Sequence, residues 1–160
     1  MKKVKLNVEF EVYDSLLELQ EEEQTTMRHA ILMLDKAYAP YSNFHVGSAA
    51  MNNNFEIYGG CNQENAAYPL CICGERVALY NAGAHDHKTP IKTLAIVCHN
   101  DKKPVEEPGS PCGACRQVIA EFEHRFNQEI VILLKGDSDK IYRFKSIKDL
   151  LPLGFEPNVL

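Results

Sequence analysis

The sequence predicts an α/β protein, a three-layer α/β/α sandwich built on a mixed sheet of about five strands. Two observations predict it. IKTLAIVC (91–98) and EIVILL (129–134) are unbroken apolar runs rich in β-branched residues, the pattern of strands covered on both faces. Stretches with helical spacing lie before and between these runs. Helices alternating with strands in this way place helical layers on both faces of one sheet.

The elements follow in order. From Glu22 onward, Met27, Ala30, Ile31, Leu34 and Ala37 recur at helical spacing, and the pattern stops before Pro40. The preceding YDSLLELQEEEQ (13–24) either extends that helix or forms one of its own. VGSAAM (46–51) and FEIYGG (55–60) read as two strands joined at NNN (52–54), whose asparagines suit left-handed turn conformations. A helix starting near Cys73 and carrying Val77, Ala78 and Leu79 leads into the 91–98 strand. Another, starting at Pro111 in the favoured first helical position and carrying Val118, Ile119 and Phe122, leads into the 129–134 strand. KIYRFK (140–145) is the fifth strand, after the turn-forming GDSD, and SIKDLL (146–151) is a short helix. There is no repeat, low-complexity tract or Pro/Gly-rich linker, so residues 1–160 read as one domain.

Composition narrows the class. Apolar residues make up 45% and charged residues 24%, ordinary for a globular protein. No apolar run approaches the roughly 18 residues of a membrane span, so no membrane partner is expected. The start, MKKVKLNVEFEVYDS, lacks the apolar core of a signal peptide, which makes the cytoplasm the expected location. In that reducing compartment six cysteines are not expected to form a disulfide framework. Cys61 and Cys98 stand alone and are expected to behave as small core hydrophobes. A net charge of −5 argues against a nucleic-acid partner, whose phosphates call for clustered Lys and Arg.

The other four cysteines fall in LCICGERVAL (70–79) and SPCGACRQVI (110–119), both at predicted helix N-termini. Cys112 and Cys115, at i and i+3, share one helix face. Unpaired N–H groups and the helix dipole favour the thiolates that a metal needs. Cys73, Cys112 and Cys115 with an open fourth position would make a catalytic zinc site, and the same three with Cys71 a closed structural one. PCGAC also has a redox spacing. Glu75 favours the catalytic reading, because a catalytic zinc needs a nearby acid/base and a structural clip does not. Its alternative role is to stabilise the helix N-terminus by about 0.3–1 kcal/mol. Three thiolates leave a zinc shell net negative, and Arg76 is placed either to donate hydrogen bonds to a ligand sulfur or to serve as a surface charge.

C-x-E followed by P-C-x-x-C is the signature of zinc-dependent nucleobase deaminases. APYSNFHVGSA, GCNQENAAYPLCICGERVAL, SPCGACRQVIAEF and LLPLGFEP, in that order from about Ala39 to Pro157, resemble the free-nucleoside cytidine deaminases. Residues 1 to about 25 are an N-terminal extension that the resemblance does not cover. It implies a cytidine deaminase-like fold and one Zn²⁺ per chain on Cys73, Cys112 and Cys115. It implies Glu75 as the proton shuttle in hydrolytic deamination of cytidine and 2′-deoxycytidine, with release of ammonia in pyrimidine salvage. Another amino-nucleoside or a nucleoside-like antibiotic is the alternative substrate, and a non-catalytic zinc-stabilised module the alternative class. Asn62 and Glu64 match the pair that holds the ribose 3′-hydroxyl, and both are expected to be buried. The Ala66 N–H is expected to reach the pyrimidine O2 and Phe44 to pack along the substrate. Phe155, with Tyr68 near the junction, is expected to close the site of a neighbouring subunit in a homotetramer. The chain departs from the family at Gly74, where alanine is usual and where glycine is expected to loosen the helix start. It also departs at Cys71, in place of a small residue, and at Glu156, in place of glycine.

Overall fold

The structure, a computed structural model, describes residues 1–155. In chain order the elements are β1 (Glu11–Tyr13), α1 (Glu21–Leu34), β2 (Phe44–Asn52), β3 (Ile57–Cys61), α2 (Gly74–His85), β4 (Ile91–Asn100), α3 (Gly113–Phe126), β5 (Val131–Lys135) and β6 (Ile141–Phe144). The strands form one six-stranded sheet in the order β1-β6-β5-β4-β2-β3. Only β4 and β5 run parallel, joined by the α3 crossover. The predicted strands are all present, and the sixth comes from the N-terminal segment, where Glu11–Tyr13 adds to β6.

Alternation along β4 explains the three layers. Ala95 and Val97 point to one face and pack with Met27 and Ala30 of α1. Leu94 and Ile96 point to the other, against Ala78 and Leu79 of α2 and Ile119 and Phe122 of α3. The α1 layer sits close to the sheet: a Cβ on Gly47 would lie 2.1 Å from the Ala30 carbonyl oxygen. Glycine is therefore required there for close approach rather than for a special φ.

Helix α1 starts at a capping box, in which Gln20 and Glu23 each bond the other's backbone, and its first turn carries three glutamates that suit the positive end of the helix dipole. YDSLLELQEEEQ does not simply extend it. Leu16–Glu18 makes a separate 3₁₀ turn capped by Ser15, which accepts from the Leu17 N–H. Ile147–Asp149 likewise forms a single 3₁₀ turn.

Two local expectations are corrected. In the β2–β3 turn it is Phe55, φ 65°, that is left-handed, and none of the three asparagines. Asn52 instead uses its side-chain oxygen to accept from the Asn54 and Glu56 N–H groups, both at 3.0 Å, so side-chain hydrogen bonds shape the turn. Pro111 is not the first residue of α3: Cys112 is the N-cap and Gly113 the first helical residue.

No helix among the described residues is long and apolar enough to cross a membrane. The departure at Glu156 lies outside the described residues.

Candidate metal centre

Helices α2 and α3 lie on the same face of the sheet, and their N-termini meet. Cys73 is the N-cap of α2, Cys112 the N-cap of α3, and Cys115 sits on the first turn of α3. Their three sulfurs lie within 4.8 Å of one another, with Cys73–Cys112 at 3.9 Å and Cys112–Cys115 at 3.4 Å. Around a tetrahedral zinc with bonds of about 2.3 Å, sulfurs stand about 3.8 Å apart. The donor set and its spacing fit that ion. All three thiols are free, and no other group of three metal-ligating side chains converges among the described residues.

Cys71 is not part of this cluster. It follows the Tyr68–Leu70 turn, where its sulfur accepts from the Asn65 N–H at 3.2 Å, so the four-thiolate arrangement does not form. Cys98 is buried, as expected of a core cysteine, and burial pushes its thiol up to about 11. Cys61 departs from that expectation: it is half-buried and donates to the Lys36 carbonyl at 3.1 Å.

Hydrogen bonds from Cys115, and then from Arg76 and Cys112, hold the Cys73 thiol down to about 5. The same bond and burial push the Cys115 thiol up. Arg76 donates through Nη2 to the Cys73 sulfur at 3.6 Å. Glu75, the second residue of α2, is 5% exposed, and burial pushes its carboxyl above the ordinary carboxylate range. Gly74 does not loosen this turn. A Cβ there would meet the Val46 carbonyl oxygen at 2.9 Å and the Cys61 Cα at 3.2 Å, so glycine lets α2 start hard against β2 and β3.

The residues of NQEN are arranged differently from expectation. Asn62 and Glu64 are half-buried rather than buried. Asn62 clamps the start of β2, its Oδ1 accepting from the Val46 N–H and its Nδ2 donating to the Phe44 carbonyl, both at 2.8 Å. Glu64 Oε2 accepts from the Tyr41 and Ser42 N–H groups at 2.9 and 3.3 Å. Each is thus anchored by backbone, which composition and motif did not reveal. Phe44, half-buried, opens β2 on the face it shares with Val46. Ala66 lies in an exposed loop, and its N–H has no acceptor among the described residues.

Glu64, Tyr68 and Cys71 line a cleft of about 310 Å³ together with Tyr41 and Ser42, two residues that sequence reasoning missed. The signal for them was in APYSN, whose turn exposes the N–H groups that Glu64 binds. Phe155 is not in this cleft. Its backbone is held by the Gln117 side chain at 2.8 and 3.3 Å, and it borders a separate cleft of about 820 Å³ that none of the three sulfurs touches.

A buried carboxyl beside three convergent thiols, at the meeting of two helix N-termini in an α/β sandwich, fits the class of zinc-dependent hydrolases. Within it, this chain belongs to the cytidine and deoxycytidylate deaminase family. The family's "Cytidine and deoxycytidylate deaminase zinc-binding region" matches residues 20–132. The cytidine deaminase of Sporosarcina psychrophila is 42% identical over 121 residues, covering 76% of this chain and 82% of its own. That of Halalkalibacterium halodurans is 36% identical over 132 residues, covering 82% and 92%. The crystal structure of cytidine deaminase from Burkholderia pseudomallei superposes with a TM-score of 0.69 at 37% identity, covering 82% of this chain and 97% of that one.

Proposed function

We propose that the chain hydrolyses cytidine and 2′-deoxycytidine to uridine and 2′-deoxyuridine with release of ammonia, as a pyrimidine-salvage enzyme of the cytoplasm. One Zn²⁺ per chain is held by Cys73, Cys112 and Cys115. The observation that carries this reading is the convergence of those three sulfurs beside the buried Glu75.

Bound zinc supplies a Lewis acid that makes a water acidic near neutral pH. Glu75 accepts a proton from the attacking water at its carboxylate and delivers it to N3 of the pyrimidine, so that C4 becomes electrophilic and bonds the water oxygen. It then takes a second proton from that oxygen and passes it to the exocyclic nitrogen, as the C4–N bond breaks and ammonia leaves. Desolvation suits it to this work, because it brings the carboxyl toward the working pH. Arg76, through Cys73, withdraws negative charge from the sulfur set.

Asn62 and Glu64 hold the 3′-hydroxyl. Because backbone contacts already fix both side chains, each offers its remaining hydrogen-bonding capacity without reorganisation. A contact to the 3′-hydroxyl alone does not separate ribose from deoxyribose, so both nucleosides are substrates. The Ala66 N–H, which has no acceptor among the described residues, takes the pyrimidine O2, and Phe44 packs along the substrate. Residues 1–160 act as one domain in a homotetramer, in which Phe155 closes a neighbour's site and Tyr68 lies at the junction. Tyr41, Tyr68, Leu70 and Phe155 are all exposed in the single chain, which supports a cover supplied by another subunit.

The test is to incubate purified protein with cytidine and to count zinc in the same sample. Uridine should appear as ultraviolet absorbance falls, with one zinc per chain. Cys71→Ala should keep the zinc and Cys115→Ala should lose it. Zinc-loaded protein that leaves cytidine unchanged would refute the activity. Equal rates on cytosine and cytidine would remove Asn62 and Glu64 from sugar recognition.

A further inference from the structure

Residues 1–10 form no helix or ladder, yet their pattern is that of a strand. From Lys3 to Val12, in KVKLNVEFEV, polar and apolar residues alternate without a break. In an extended chain alternate side chains share a face, so Val4, Leu6, Val8, Phe10 and Val12 make one apolar face. In the single chain these residues are 43% to 75% exposed. Two of them are anchored at the sheet edge: Val12 lies in β1 opposite Tyr142, and the Phe10 ring is 5.0 Å from Phe144 and 4.9 Å from Tyr142. β1 is the terminal strand of the sheet, so its outer N–H and C=O groups have no ladder partner among the described residues. An alternating strand of this length is one that buries a face.

The polar face identifies the occupant. It runs Lys3, Lys5, Asn7, Glu9, Glu11, with a basic half and an acidic half. Laid antiparallel on a second copy about a two-fold axis at Asn7, Lys3 falls opposite Glu11, Lys5 opposite Glu9, and Asn7 opposite itself. On the other face Val4 meets Phe10 and Leu6 meets Val8. Opposite charges and apolar pairs directly across an antiparallel ladder both stabilise it. A slip of one residue sets the apolar face against the polar one, and a slip of two keeps only one of the two kinds of charge pair. Glu11 is already bonded to Arg143 and Tyr13, but both bonds fall on Oε2, which leaves Oε1 for the second copy's lysine. Edge lysines ordinarily discourage strand addition; here each one meets a glutamate.

We propose that residues 3–11 of two copies of this chain pair as antiparallel strands centred on Asn7, joining their sheets edge to edge through β1. The segment lies outside the family match, which begins at residue 20, so this contact is separate from the tetramer of catalytic domains proposed above.

Asn7→Cys tests the register in the full chain. Residues directly opposite in an antiparallel pair have Cα atoms about 4.5–5.5 Å apart, within reach of a disulfide. Under mild oxidation Asn7→Cys should give a reducible covalent dimer that the wild-type chain, with its native cysteines, does not. Lys5→Cys, which faces Glu9, should cross-link at least several-fold less. In the Asn7→Cys background, Lys5→Glu alone or Glu9→Lys alone should cut cross-linking several-fold. The two changes together, which swap the charges, should restore it. Equal cross-linking at positions 5 and 7, or no recovery in the double swap, overturns the pairing. Sizing the Lys5→Glu variant, in which this pairing is lost, tests the tetramer independently, so failure of either reading leaves the other standing.

Discussion

Arg76 and Cys73 sit one helical turn apart, and Arg76 donates from Nη2 to the Cys73 sulfur at 3.6 Å while its Nε is buried with no partner among the described residues. The Cys73 sulfur is thus the side chain that fixes the Arg76 guanidinium among the described residues. Arg76→Gln is expected to keep zinc but to lower kcat by about tenfold or more with KM little changed. In metal-free protein the pH profile of Cys73 alkylation should move upward from about 5. An unmoved profile would mean that the neighbouring cysteines, without Arg76, hold the Cys73 thiol down.

Glu75→Gln keeps the shape of the carboxyl and removes its proton transfer. Turnover is expected to fall by at least about 10²–10⁴-fold with zinc retained. The effect on stability has a definite sign. The folded carboxyl titrates above its unfolded value, so its ionisation destabilises the fold as pH rises from about 4.5 through the raised value. Metal-free Glu75→Gln protein should therefore melt at a higher temperature than wild type near pH 7, with the gap closing toward pH 4. Calorimetry after chelation measures this, and a lower melting temperature at neutral pH would contradict it.

Gly74→Ala improves helix propensity by up to about 1 kcal/mol. The new Cβ, however, would meet Val46 backbone at 2.9 Å. Overpacking of that kind costs about 1–3 kcal/mol, so the clash outweighs the propensity. A melting temperature lowered by a few degrees is expected, at about 2–4 °C per kcal/mol for a chain of this length. A rise would mean that α2 can retreat from β2 without strain.

Near the C-terminal end of β4, one residue past the Val46–Cys98 pair, His99 donates through Nδ1 to Asp137 at 2.6 Å and lies 3.4 Å from Asp101. The Asp137 bond raises its folded pKa above 6.5. Its stabilisation is thus fully present below about pH 6.5 and is lost as pH rises through the folded value. Thermal scans from pH 5.5 to 8.5 should show wild type losing more stability than Asp137→Asn across that interval. Parallel curves would remove His99 from the pH dependence.

Much of the fold was legible because its determinants are local. The runs at 91–98 and 129–134 can only be strands covered on both faces, and they became β4 and β5 at the centre of the sheet. The place of β1 was not legible. The alternation from Lys3 to Val12 permits a strand, but a ladder forms only at Glu11–Tyr13, because β6, more than a hundred positions later, offers an edge there. The left-handed residue of the β2–β3 turn was misplaced for a related reason: Asn52 spends its side chain on two N–H groups, which leaves the positive φ to Phe55.

At the metal centre, the types and spacing of Cys73, Glu75, Cys112 and Cys115 were readable from the sequence alone, because a helix N-terminus converts short spacings into shared faces. Whether Cys71 joined them was not, since its direction depends on the Asn65 loop folding back over it. Nor could sequence show that Asn62 and Glu64 are fastened to β2 and to the Tyr41–Ser42 turn. The chain by itself determined the chemistry, through residue types and spacings of a few positions. Tertiary structure alone decided which sulfurs converge, which carboxyl leaves water and which polar side chains are committed to backbone, because each depends on segments distant in sequence arriving at one place.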